Sequence, residues 1–176
     1  MVDFAKKRKE KTKVAPIEPG EIFRRLPKKS SNINDLWKSQ DYALEEWFKR
    51  RKEKDLVIKL NTGGGKTLVG LIILQSIMNE TKGRALYLCP NNQLVEQTFL
   101  KANEYGIPAV KYAGSLNDEF INGNKILIAT YKALFNGKSK FGTMNDIDPV
   151  KVEGIIFDDA HTAFAEVRDT FTLSID

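Results

Sequence analysis

Residues 55–74 read DLVIKLNTGGGKTLVGLIIL, and the fold is decided there. The run from Leu56 to Leu60 is rich in Val, Ile and Leu, which predicts a buried strand of a parallel sheet. Asn61, Thr62, Gly63, Gly64 and Gly65 break it, and three consecutive glycines let a backbone approach a ligand closely. From Lys66 onward apolar residues occupy the whole circumference (Leu68, Val69, Leu71, Ile72, Ile73), the pattern of a helix packed under a sheet. A strand, a glycine loop and a helix N-terminus form a phosphate cradle, because the loop N–H groups and the helix dipole point at one anion. In that geometry Lys66 reaches the β- and γ-phosphates and Thr67 holds Mg²⁺ through its hydroxyl. Leu60 stands where the G-x-x-x-x-G-K-[ST] pattern has its first glycine.

The remaining composition limits what surrounds this loop. A chain of 176 residues with 41% hydrophobic content can bury one good core. No apolar run has the length of a membrane span, and MVDFAKKRKEKTK lacks the apolar stretch of a signal peptide. The single cysteine, Cys89, cannot form an internal disulfide, and its place in an apolar strand predicts a buried, inert thiol in a reducing, cytoplasmic setting. The net charge of +5 is unevenly placed: residues 1–13 carry six basic and two acidic side chains, whereas residues 37–176 carry eighteen of each. Basicity therefore belongs to the leader, and residues 1–35, with Pro16, Pro19, Gly20 and Pro27, read as a flexible arm.

The segment LWKSQDYALEEWFKRRKEK, from Leu36, predicts a helix with Ser39 as N-cap. Trp37, Gln40, Leu44 and Trp47 recur at three- and four-residue spacing, placing a glutamine on the apolar stripe. Buried amides want partners, and a carboxamide matches the N7 and N6–H₂ groups of adenine, so Gln40 is the expected reader of the base. Further on, strands are expected at RALYLCP, 109–112 and 125–130, and helices from Asn91 to about Tyr105 and over 131–135. Strands alternating with helices mean a parallel, doubly wound α/β sheet. The last strand, VEGIIFDDAH, puts Asp158 and Asp159 at its carboxyl end, where such sheets bind ligands and where an acid completes a Mg²⁺ shell. His161, the lone histidine, lies two residues further on.

GGGKT together with FDDAH resembles the first RecA-like domain of the DEAD/DEAH-box-like superfamily 2 helicases. LWKSQDYAL is similar to that superfamily's adenine-reading Q segment, LYLCPNNQLVEQ to its motif Ia and IATYKAL to its motif Ib. The resemblance spans about residues 36–165. It implies a RecA-like ATP-binding lobe over 36–176, following the leader of 1–35. It further implies that Gln40 reads adenine, that Gly63, Gly65, Lys66 and Thr67 hold phosphate and Mg²⁺, and that Asp158 binds the metal. Asp159 takes the place of the glutamate that polarises the attacking water, and His161 couples nucleotide state to the domain. Pro90, Asn91, Thr130 and Tyr131 fall where the family touches an RNA or DNA backbone.

Asp159 is one methylene shorter than the family's usual glutamate, and Asn92 replaces an arginine often found in motif Ia. The sequence given reaches Asp176 before any Ser-Ala-Thr-type motif, so a second RecA-like lobe, in cis or in trans, is expected to supply the arginine that completes catalysis. Two functions remain open at this point: the ATP-binding lobe of a nucleic-acid-dependent helicase or translocase, and a non-hydrolysing nucleotide- and nucleic-acid-binding regulatory module.

Overall fold

A computed structural model of the chain describes residues 14–27, 35–61, 63–136, 139–142, 146 and 148–172. Its centre is a four-stranded parallel sheet in the order β2-β3-β1-β4, with β1 Ala85–Cys89, β2 Ala109–Lys111, β3 Ile126–Thr130 and β4 Gly154–Phe157. Cys89 pairs with Thr130 on one side, and Leu88 pairs with Phe157 on the other. Chain direction is shared, so Pro90, Tyr131 and Asp158 all emerge at the carboxyl edge. The parallel, helix-flanked α/β architecture is the one expected.

Strand alternation divides the core in two. Ala85, Tyr87, Cys89, Ile126 and Ile128 face a cluster built on α1 Pro19–Arg25, α2 Lys38–Arg50, α3 Lys66–Thr81 and α4 Asn92–Tyr105. Leu86, Leu88, Leu127 and Ala129 face a smaller cluster with Phe120, Tyr131 and Phe141. The short helices α5 Asp118–Ile121 and α6 Tyr131–Leu134, and α7 Ala160–Phe171, contribute to that second face. The α3 helix is apolar all round because it is covered all round, by the sheet on one side and by α1 and α2 on the other. Gly70 marks its closest approach: an added Cβ would sit 2.8 Å from the Tyr87 ring.

The structure corrects three local expectations. Residues 55–60 have no regular secondary structure and belong to no strand among the described residues. Leu56 and Leu60 pack on the core, while Val57 is 91% exposed. An apolar run encodes a preference for burial, but a strand also needs a neighbour with free N–H and C=O groups, and none of the four strands pairs with this segment. Second, the arm assigned to residues 1–35 includes a docked part. Glu18 caps α1 through bonds from Gly20 N and Glu21 N, Pro19 occupies its first turn, and Ile22 and Phe23 are buried in the main core. Ser76 Oγ and Asn79 Nδ2 hold the carbonyls of Ile17 and Pro16. Residues 1–13 lie outside the described residues. Third, α2 begins at Lys38 with Trp37 as N-cap, not Ser39, because the Gln40 side chain turns back to accept from the Trp37 N–H at 2.9 Å.

Candidate functional site

The glycine loop is built where expected. Gly63 and Gly65 have φ of 80° and 70°, left-handed values that glycine adopts without strain. Gly64 N donates to Asn61 O at 2.9 Å, closing the turn, and α3 starts at Lys66 immediately after Gly65. Thr62, expected in the cradle, lies outside the described residues.

Gln40 is 5% exposed and bonded at both ends: Oε1 accepts from Trp37 N, and Nε2 donates to Gly65 O at 3.4 Å. The amide expected to face a base thus ties the start of α2 to the last glycine of the loop. One N–H hydrogen and one oxygen lone pair remain beyond these bonds. A Cβ on Gly65 would collide with that amide nitrogen. A groove of about 350 Å³ runs between α2 and residues 56–61, lined by Ser39, Tyr42, Trp47, Arg50 and Asn61 among others.

A second hollow, of about 240 Å³, brings Gly65, Thr67 and Asp158 together with Gln97, Thr98 and Lys101 of α4. Burial pushes the Asp158 carboxyl upward, the Lys66 ammonium opposes this, and the Asp159 charge adds to it. A hydroxyl and a partly desolvated carboxylate facing one cleft are hard oxygen donors of the kind Mg²⁺ takes alongside substrate phosphates. The described residues contain no group of three or more His, Cys, Asp or Glu suited to hold a metal by themselves.

Asp159 serves α7 as N-cap, its Oδ2 accepting from Thr162 Oγ1 at 2.8 Å. That hydroxyl, followed by the Thr162 and His161 amides, holds its carboxyl below the ordinary range. His161 sits exposed in the first turn of α7. At the other strand ends, Asn91 caps α4 by accepting from Leu94 N at 3.0 Å, beside Pro90. Thr130 precedes α6 without making a side-chain cap. Tyr131 departs from expectation: it is 0% exposed, so its side chain faces the protein and not a nucleic-acid surface. Its hydroxyl bonds the backbone of Asp158 and Asp159.

Sequence reasoning also missed Tyr87, whose hydroxyl meets Thr67 and the field of Asp158; burial, then that charge, drives its pKa far up. The signal was available, since a tyrosine in the middle of an apolar strand needs a polar partner. Cys89 is buried against Thr98, and burial pushes its thiol up to about 11, as expected of an inert cysteine.

A glycine loop opening a helix, with an acid at a neighbouring strand end of a parallel sheet, defines a phosphate-loop nucleotide-binding domain of RecA-like architecture. The family model of the type III restriction enzyme res subunit matches residues 34–173, and the chain belongs to that family. It is a RecA-like nucleotide-binding lobe of the superfamily 2 helicase kind. The chain is 28% identical over 107 residues to the ATP-dependent DNA helicase Hel308 of Thermococcus kodakarensis, covering 58% of this chain and 9% of that protein. It is 26% identical over 162 residues to Dicer-like protein 1 of Chaetomium globosum, covering 82% and 10%. With the human antiviral innate immune response receptor RIG-I the identity is 26% over 144 residues, covering 74% and 15%. The chain thus spans only 9–15% of the length of these relatives. Among the described residues, no helix is long and apolar enough to cross a membrane.

Proposed function

We propose that this lobe binds Mg²⁺-ATP and couples its hydrolysis to movement on RNA or DNA, in the cytoplasm and together with a second RecA-like lobe supplied in cis or in trans. The supporting observation is the shared cleft of Thr67 and Asp158 beside Gly65, with Lys66 close enough to act on the Asp158 charge. Lys66 would hold the terminal phosphates, with the Asn61–Gly65 backbone around them. Thr67 and Asp158 would hold Mg²⁺, which neutralises charge on the phosphate oxygens when bound. Gln40 fixes Gly65 and would meet adenine with its remaining hydrogen and lone pair. Asp159 would orient the attacking water at the mouth of α7, and His161, two residues on, would relay the state of the nucleotide. Pro90, Asn91 and Thr130, all at the carboxyl edge of the sheet, would meet the polynucleotide backbone.

Phosphoryl transfer depends on positioning and charge, and an arginine finger contributes about 10³–10⁵ in rate. Turnover of the isolated chain is therefore expected near background, and nucleic-acid-stimulated once the second lobe is added. Asp159→Asn in the reconstituted protein should abolish stimulation, since asparagine keeps the helix cap but loses the charge. Strong stimulated turnover by the 176-residue chain alone, lost in Lys66→Ala, would refute the need for a second lobe.

A further inference from the structure

Tyr131 opens α6 directly after Thr130 and is fully buried. Its hydroxyl donates to the carbonyl of Asp158 and lies 3.2 Å from that of Asp159. The turn it grips is an uncommon one, because Asp159 has φ 64° and ψ 84°, a conformation that non-glycine residues keep only when their surroundings hold it. Three anchors do so. Asp158 N donates to Leu88 O at 2.9 Å, Ala163 N donates to Asp159 O at 3.0 Å, and the Tyr131 hydroxyl closes the remaining side. The ring is seated independently, 6.2 Å from that of Phe157.

We propose that Tyr131 is a positioning residue for the acid pair: its buried hydroxyl, reaching across from the end of β3, fixes the backbone turn that aims the Asp158 carboxylate into the metal cleft. The inference rests on the nucleotide reading above for what the turn is aimed at, and on geometry alone for the clamp itself. Because Tyr131 adjoins Thr130, displacement of α6 would be felt directly at the two acids.

Tyr131→Phe in the full chain removes the hydroxyl and keeps the ring. Two measurements separate the clamp from the site. In hydrogen exchange without nucleotide, the amides of 158–163 should exchange about 2–10-fold faster in the variant, the range one net hydrogen bond sets, while the rest of α7 is unchanged. In calorimetric titration with ADP, affinity without divalent cation should stay within about twofold, while the extra affinity conferred by Mg²⁺ should fall about 2–10-fold, as a bond that only aims a ligand would cause. Unchanged exchange at 158–163 would overturn the clamp. Faster exchange with equal loss of affinity in both conditions would reduce Tyr131 to a packing role and overturn the aiming. A wild type that binds no nucleotide, with the exchange difference intact, would refute the nucleotide reading and leave the clamp standing.

Discussion

Gln40 donates through Nε2 to the carbonyl of Gly65, 3.4 Å away and 25 positions on in sequence. The same side chain accepts from Trp37 N, so one amide fixes both the entrance of α2 and the loop that opens α3. Loop shape in this lobe is therefore set partly from outside the loop. That gives Gly65 a requirement distinct from phosphate binding.

Gly65→Ala should disable the loop while leaving the sheet intact. The new Cβ meets Gln40, and alanine at φ 70° costs roughly 1–2 kcal/mol, so ADP affinity should fall at least about tenfold. Calorimetry of the variant checks it; wild-type affinity would mean that the loop moves freely.

Gln40→Ala tests the double role of the amide. Losing the Trp37 bond and the loop tie should cost about 1–2 kcal/mol in denaturant unfolding. The preference for ATP over GTP should also shrink, by roughly 1–3 kcal/mol if the remaining valences pair with adenine. A stability loss with nucleotide preference unchanged would leave Gln40 as a structural brace only.

Phe23→Ala should destabilise the chain by about 3–5 kcal/mol, the cost of emptying an aromatic site in a core. Urea unfolding gives the value directly. A change below about 0.5 kcal/mol, typical of surface positions, would return residues 14–27 to the status of a loose arm.

The contrast between α1 and the glycine loop explains what could be read in advance. Phosphate chemistry leaves little freedom, so GGGKT and the paired acids after Phe157 were legible as residue types at fixed places. The α/β order and the ends of β1, β3 and β4 followed from apolar periodicity, while β2 stops at Lys111, one residue early. Pairing did not, because Leu56–Leu60 carries the composition of a strand without naming a neighbour. Gln40 was legible as a buried amide but not in its choice of partner, since Gly65 becomes its neighbour only through tertiary packing. The docked helix could have been found from Glu18-Pro19 ahead of Ile22 and Phe23, a helix-start signature that the surrounding charge and prolines obscured.

Asp158 and Asp159 should respond oppositely to pH. Burial raises the Asp158 pKa, so its ionised form costs stability above that pKa, and the cost is relieved as pH falls toward the unfolded value. The Thr162 bond lowers that of Asp159, whose contribution is present above the unfolded pKa and lost on acidification. Asp158→Asn should therefore raise the thermal midpoint of the nucleotide-free chain at neutral pH, with the advantage shrinking as acid protonates the wild type. Melting curves across the carboxylate range decide it; an advantage that grows in acid would mean the sign is wrong.

The most direct test of the nucleotide site is calorimetric titration of Mg²⁺-ATP into the wild-type chain and into Lys66→Ala. Lys66 stands at the first position of α3 beside Gly65, apart from the buried residues of that helix, so the variant should melt like wild type. Wild type should bind saturably and the variant should lose at least about tenfold in affinity, the scale of a charge-assisted bond to phosphate. Equal affinities in the two proteins would contradict it.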